Sequence, residues 1–327
     1  MAAKLTVRKI RATLRSGTRV TIPTWQLDSG EAGPCLLLTA AQHGNEVQGS
    51  ETIRRFLEVA AKRLKAGRVM AVPFVNLPAV RDRRPHIEMG PEQAYGDARG
   101  HNMNRTWPGR RDGNDTERVS YAVYRAFGRE ATHVFDLHCW EKHAAPAVLI
   151  RQAPGLRELA AKLGHRFVRV CGPADHTISG HFCATGRVGV TYEFAGQYVV
   201  DERQVQRGLR VVTNYAKLIG LLPGRVAKGD DPVVFSDQAD TATVEAPCSG
   251  LFVEAGLELC GEVRKGEVLG HIVSDADLAT HVVKAPVDGY LRAYGAGRPH
   301  CDVALPASHP YMSKGDRLTV IATPRKS

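Results

Sequence analysis

The chain has 327 residues, 43% of them hydrophobic and 24% charged, a composition that suits a globular protein of one large or two ordinary domains. Its formal charge of +10 is spread along the chain with no basic run interleaved with aromatics, which excludes nucleic acid in favour of a solvated basic surface that also draws in small anions. No apolar run is long enough to span a bilayer and the first residues lack the apolar core of a signal peptide, so a membrane role is excluded and a cytoplasmic location is expected.

In chain order, the apolar run Cys35-Leu36-Leu37-Leu38 reads as a buried strand. Residues Glu46 to Lys65 follow, with Val47, Ile53, Phe56, Leu57, Ala60 and Leu64 at helical spacing, and Val69 to Val75 is the next strand. This alternation implies an α/β sheet layered with helices. The segment from Arg81 to Gly113 breaks the pattern with Gly, Pro and charge, and a loop that long inside a compact domain is usually functional. Beyond it, Glu117 to Glu130 reads as a helix, 132–138 as a strand, 155–164 as a helix, 187–194 as a strand, and Glu202 to Leu221 as a closing helix ended by Pro223-Gly224. Seven cysteines, at 35, 139, 171, 183, 248, 260 and 301, show no CxxC spacing and read as reduced, mostly buried thiols.

At the linker Arg225 to Pro232 helical periodicity stops and short β-rich segments punctuated by glycine take over. We therefore divide the chain into a domain of residues 1–224, which holds the chemistry, and a β domain of residues 225–327. The β domain repeats itself weakly. Ala246-Pro247-Cys248-Ser249-Gly250-Leu251 is echoed by Ala285-Pro286-Val287-Asp288-Gly289-Tyr290, and Val263-Arg264-Lys265-Gly266-Glu267 by Met312-Ser313-Lys314-Gly315-Asp316. Two such half-units resemble the barrel-sandwich hybrid of biotinyl and lipoyl carriers. The stretch Ser274 to Thr280 between them has no lysine to modify, so the domain is read as structural, a wall or lid for an active site.

The chemistry-bearing residues sit just after the strand-like runs: His43 and Glu46 in His43-Gly44-Asn45-Glu46, His138 in Asp136-Leu137-His138, and Glu193 in Tyr192-Glu193-Phe194. Strand ends are where open α/β sheets collect ligands. Two histidines and one carboxylate make a catalytic zinc site with its fourth position open to water, and a separate carboxylate, Glu193, supplies a base. Asp136 shares a strand face with His138 and stands ready to orient it. Asn104-Arg105 pairs a planar guanidinium fork with an amide, a grip for a carboxylate, although the surrounding run also suits a turn capped by Asn and stiffened by Pro108-Gly109. Cys171, His176, His181 and Cys183 lack a zinc-finger spacing and are expected to line or support the pocket.

The ordered set HGNE, then Asn76-Leu77-Pro78-Ala79, then Asn102-Met103-Asn104-Arg105-Thr106-Trp107-Pro108-Gly109, then DLH, then Tyr192-Glu193-Phe194-Ala195-Gly196 resembles the succinylglutamate desuccinylase and aspartoacylase family, relatives of the zinc carboxypeptidases. The resemblance spans about residues 35–220. It implies a three-layer α/β/α domain with a mixed central sheet, followed by the small β domain. It also implies one zinc per chain held by His43, Glu46 and His138, with Glu193 as general base and then acid, and Asn104 and Arg105 on a substrate carboxylate. The family shows one arginine between the N-x-P-A segment and the N-R pair, to polarise the scissile carbonyl. Here Arg81, Arg83, Arg84 and Arg99 compete around an insertion at 86–98, and we assign that role to Arg84, just before Pro85. Trp107 stands where the family has phenylalanine, which preserves an apolar contact.

The expected activity is removal of an acyl group from a small anionic N-acyl amino acid or similar amide. A carboxypeptidase-like enzyme acting on a short or modified peptide is the alternative within hydrolases. A non-catalytic binding or carrier protein is the alternative outside them, and it predicts no metal. Assembly into a homo-oligomer through the β domain stays open.

Overall fold

The computed structural model describes residues 3–87, 101–172, 176–236, 241–295 and 310–323. Arg99 and most of the 86–98 insertion lie outside the described residues. In chain order, the strands β1 (Lys4–Thr13), β2 (Arg19–Asp28) and β3 (Cys35–Ala40) lead to helix α1 (Gln48–Arg63), strand β4 (Arg68–Val72) and helices α2 (Leu77–Asp82) and α3 (Asp115–Val123). There follow β5 (His133–Trp140), β6 (Ala147–Arg151), α4 (Leu156–Ala161), β7 (Phe167–Cys171), α5 (Ile178–Ala184), β8 (Val188–Ala195), α6 (Glu202–Leu218) and β9 (Val233–Ser236). The β1–β2 hairpin, β6, β7 and α5 were not anticipated from periodicity.

These strands form one nine-stranded sheet in the order β1-β2-β4-β3-β5-β8-β6-β7-β9. Its centre, β4, β3, β5 and β8, is parallel, while β2 and β6 run antiparallel to their central neighbours, so the sheet is mixed. Alternation along the strands explains the layering. On β5, Phe135, Leu137 and Cys139 pack with Phe56 of α1 and Tyr215 of α6. Val134 of the same strand joins Val119 of α3 and Phe182 of α5 on the other face. Helices therefore cover both faces, and Asp136 and His138 share the α3/α5 side.

Local chemistry sets the helix ends. Asn114 and Glu117 form a reciprocal capping box at the start of α3, and Asp201 accepts the Gln204 N–H at 2.9 Å to start α6. The expected helix at 46–65 begins only at Gln48, because Glu46 is held in a turn by its N–H donating to His43 O at 3.0 Å. The expected helix at 117–130 continues beyond Val123 as a π turn, Tyr124–Gly128.

After residue 225 the chain first adds β9 to the edge of the large sheet, parallel to β7. It then builds β10 (Thr241–Glu245), β11 (Gly250–Glu254), β12 (Glu262–Val263), β13 (Val268–Ser274), β14 (Thr280–Lys284), β15 (Gly289–Tyr294), β16 (Tyr311–Met312) and β17 (Arg317–Ala322). Two four-stranded antiparallel sheets result, β10-β17-β15-β12 and β14-β13-β11-β16, around a core that includes Phe252, Ile272, Leu291 and Ile321. The sequence repeat acquires a geometric meaning here, because each half's first motif pairs with the other half's second. Gly250 pairs with Met312 and Gly289 with Val263. The Gly315 N–H donates to Ala246 O at 2.9 Å, and the Gly266 N–H to Ala285 O at 2.8 Å.

The β sheets dock on the large one. Ala145 N–H donates to Arg292 O at 2.7 Å and Tyr294 N–H to His143 O at 2.8 Å. Behind these bonds Ala145, Phe167, Val233, Phe235 and Ala322 form a shared apolar core.

Candidate metal centre

The site lies at the carboxyl ends of the parallel strands β3, β5 and β8, where the backbones diverge into loops. Past β3, Ala41 adopts a left-handed φ of 55°, and the turn is tied down by Asn76 N–H to Ala41 O at 3.1 Å and Asn76 Nδ2 to Gln42 O at 3.0 Å. Gly44 has no alternative: a Cβ there would lie 2.2 Å from the Ala79 carbonyl carbon and 2.3 Å from Arg84 O. The chain at the end of α2 thus runs across the His43 turn, and the His86 ring meets His43 edge-on at 5.2 Å.

His43, Glu46 and His138 are brought together, each buried, with one ligand atom apiece all within 4.8 Å of one another. His43 Nδ1 lies 2.8 Å from Glu46 Oε1, and His138 Nδ1 lies 2.9 Å from Glu46 Oε2. The opposite ring nitrogens are already committed, His43 Nε2 to Asn102 Oδ1 at 3.0 Å and His138 Nε2 to Asp136 Oδ2 at 2.7 Å. The two Nδ1 atoms and the Glu46 carboxylate therefore converge on one point, the donor set that a cation would take. Burial works against charge on Glu46, yet His43 and His138 hold its carboxyl well below the usual range. Burial likewise opposes a proton on His138, but Asp136 and Glu46 raise its affinity well above that of a free imidazole. Two donor nitrogens and a carboxylate concentrated this way fit a divalent metal with nitrogen and oxygen preferences.

A hydrogen-bonded layer fixes these ligands. Asp136 accepts from Thr39 Oγ1 at 2.7 Å and Gln42 Nε2 at 2.7 Å, and Gln42 Oε1 accepts from Trp107 Nε1 at 2.7 Å. Glu46 accepts the Cys139 N–H at 3.0 Å and Gln197 Nε2 at 3.3 Å. Cys139 sends its side chain into the opposite core and serves the site through its backbone, its N–H on Glu46 and its carbonyl accepting from Gln197 Nε2 at 2.9 Å.

Glu193 pairs with His138 across β5 and β8, on the same sheet face. It is buried, its Oε2 makes no hydrogen bond to the described residues, and burial pushes its carboxyl up to about 8. Such a group holds a proton avidly, a property that suits a general base. Asn104 Nδ2 lies 3.2 Å from His138 Nε2, while its buried Oδ1 has no protein partner among the described residues. All these groups line one cavity of about 450 Å³, the size of a small-molecule site.

Residues 32–219, more than half of the chain, match the family model described as the succinylglutamate desuccinylase/aspartoacylase catalytic domain. The chain belongs to the succinylglutamate desuccinylase/aspartoacylase family. It is 26% identical over 322 residues to the N-alpha-acetyl-L-2,4-diaminobutyric acid deacetylase of Halomonas elongata, covering 93% of this chain and 86% of that one. Its fold is that of an aspartoacylase family protein from Mesorhizobium loti, at 20% identity and a TM-score of 0.73, covering 99% of this chain and 96% of the other. The ectoine utilization protein of Ruegeria pomeroyi, solved with product bound, is similar at 21% identity and a TM-score of 0.73, with the same coverage.

In this aspartoacylase-family chain the anticipated residues separate into two groups. His43, Glu46, His138, Glu193, Asn104 and Arg105 all line the cavity. Arg84 is half-buried at the end of α2, with its N–H on Ala79 O at 3.0 Å, and the described cavity wall does not include it. Arg81 and Arg83 are exposed. The arginines on the wall are Arg105, Arg169, Arg292 and Arg317. Cys171, His181 and Cys183 are not on the described cavity wall; His181 Nε2 bonds Tyr124 Oη at 3.0 Å and Cys183 Sγ lies 3.6 Å from Gly189 O, so His181 and Cys183 hold α5 against its neighbours. Trp140 does line it, and His143 sits at the junction with the β sheets, near Tyr294 O and Glu254. Trp107 does more than fill apolar space, because its indole N–H holds Gln42. Gln42 and Gln197 adjoin the motifs and Asn102 opens one, but none of the three was singled out for a role. Arg169, Arg292 and Arg317 carried no local signal.

The family model ends before β9, and among the described residues no helix is long and apolar enough to cross a membrane.

Proposed function

We propose that this hydrolytic deacylase, whose family cleaves amide bonds, is zinc-dependent and removes the acyl group from a small N-acyl amino acid or a related amide. The observation that carries the reading is the buried His43, Glu46, His138 triangle sharing one cavity with a buried Glu193. His43, Glu46 and His138 would hold the zinc, which when bound would supply a lowered pKa for a water and polarisation of the amide carbonyl. Glu193, raised by burial, accepts the proton of the attacking water and returns it to the leaving amine. Asn104 and Arg105 orient the substrate through its carboxylate, which a planar guanidinium grips in two places. Asp136 and Asn102 keep the two imidazoles aimed, so the ligand geometry survives turnover. No step is assigned to Arg84, which stands outside the cavity wall.

The test combines metal analysis with one variant. The purified protein is expected to hold about one zinc per chain. Glu193→Gln should keep that metal and lose kcat by roughly two to four orders of magnitude on N-acyl amino acids. Retained turnover in the variant removes Glu193 from its role, and cleavage of dipeptides alone replaces the deacylase reading with a carboxypeptidase-like one.

A further inference from the structure

The two C-terminal β sheets have two outward faces, and one of them is taken. Sheet β10-β17-β15-β12 meets the large sheet through Tyr290, Ala322 and the main-chain bond from Ala145 to Arg292, and its strands supply Arg292, Ala293, Arg317 and Val320 to the cavity wall. Sheet β14-β13-β11-β16 supplies no described residue to that wall.

Register fixes what the second sheet shows to solvent. Leu251 pairs with Tyr311 and with Val273, which pairs with Thr280, while Val253 pairs with His271, which pairs with Val282. Paired residues share a sheet face and the next residue along reverses it. Burial agrees: Leu251, Val253, Val282 and Tyr311 are 40–56% exposed, whereas Phe252, Ile272, Val283 and Met312 beside them are buried in the β core. The outer face thus consists of two cross-strand rows without a carboxylate, ammonium or guanidinium group. A sheet with one face in water ordinarily places polar residues there, so an apolar row marks a face that something covers. Of the eleven large hydrophobic side chains exposed among the described residues, six belong to this sheet and its β13–β14 hairpin, these four together with Val268 and Leu278. They form a patch, unlike the scattered apolar residues of any surface.

Charge and area point to a second copy of this chain as the cover. The two ends of the sheet differ in sign: the β13–β14 hairpin tip carries exposed Asp275 and Asp277, and β14 ends at exposed Lys284, which borders the face beside Val282. A two-fold axis running across the strands along Val253, His271 and Val282 stacks that row on its symmetry mate and reverses strand direction. Lys284 of each copy then approaches the acidic hairpin tip of the other, twice over, as an isologous contact requires. For chains of formal charge +10, a meeting place free of charge at its centre avoids the repulsion that the rest of the surface would bring. The six exposed side chains leave on the order of 500 Å² of apolar surface, in the upper range for the largest patch on a monomer; with the rim they approach the ~800 Å² that each partner of a standard interface buries. We propose that the outer face of β14-β13-β11-β16 is the interface of a homodimer, packed sheet on sheet about Val282 and His271, with Lys284 set against Asp277 of the other copy. Such a dimer does not depend on the deacylase reading.

Sedimentation velocity of the intact chain between about 1 and 100 μM tests this, with a dimer expected to dominate at the upper end. Val282→Glu brings two carboxylates together at the axis, and Val253→Lys does the same with two ammonium groups. Both positions are exposed in the single chain, so far-UV circular dichroism should not change, while the dimer dissociation constant should rise about tenfold or more in each. Lys284→Asp and Asp277→Lys should each weaken the dimer, and the two together should restore it. As a check that needs no loss of affinity, Val282→Cys should be joined copy to copy by a short bismaleimide, whereas Leu5→Cys, exposed on the large sheet, should not. A monomer at every concentration, or a dimer indifferent to both Val282→Glu and Val253→Lys, overturns the interface. A double charge reversal that fails to restore the dimer overturns the pairing of Lys284 with Asp277 and the axis drawn from it.

Discussion

Trp107 shows how one atom organises a candidate metal site. A glutamine amide can be turned either way, and Gln42 is turned by its partners. Trp107 Nε1 can only donate, so Gln42 must present Oε1 to it and Nε2 to Asp136. Asp136, so held, lies 2.7 Å from His138 Nε2 as a hydrogen-bond acceptor and keeps Nδ1 turned toward Glu46, where a metal would bind. Trp107→Phe keeps most of the apolar volume but removes the donor. We expect roughly tenfold weaker metal retention in a competition with a chelator, with little change in fold. Unchanged retention would show that the indole N–H is not part of the metal's support. Gln42→Met in the same background should add little, because the two changes break one chain of bonds.

At the scale of elements, close backbone approaches place the site. On β8, a Cβ at Gly189 would lie 2.1 Å from Ser179 O, so α5 rests directly on the strand that carries Glu193. That obstacle is backbone and cannot swing aside. Gly189→Ala should therefore destabilise the protein by about 1–3 kcal/mol or more, read from urea unfolding. The turn after β3 gives a different outcome. Gly44→Ala forces the end of α2 away from the His43 turn, so metal should be lost while far-UV circular dichroism is kept. Helices α1, α3, α4 and α6 and the central strands were legible because burial on one or both faces writes itself into local periodicity. The β1–β2 hairpin and the short β6 and β7 were not, since their pairing depends on neighbours far away in sequence.

At the scale of the whole molecule, Glu193 couples the site to stability. Its folded pKa, about 8, lies above the ordinary 4.5. In metal-free protein its contribution is therefore fully present below pH 4.5 and is lost as pH rises toward 8. Unfolding of chelated protein should become easier across that window, and Glu193→Gln should flatten the profile. A profile unchanged by the substitution would mean that the folded carboxyl is not raised. The two halves of the chain share an apolar core and main-chain bonds across Ala145 and Arg292, so calorimetry of the intact protein should show one transition. Two separated transitions would mean that the β sheets are only loosely docked on the large one.

The sequence by itself singled out His43, Glu46, His138 and Glu193, because they follow strand-like runs in a recognisable order, and the structure gathers all four on one cavity. The sequence also determined that the tail repeats, since Ala246–Leu251 and Ala285–Tyr290 match by eye. Only the tertiary structure decided which half each repeat pairs with, how Gln42 is turned, and which arginines line the cavity. Those choices join Arg169, Arg292 and Arg317 from strands far apart in the chain. Periodicity reports burial along a segment, whereas a cavity wall is a relation between segments that only packing establishes.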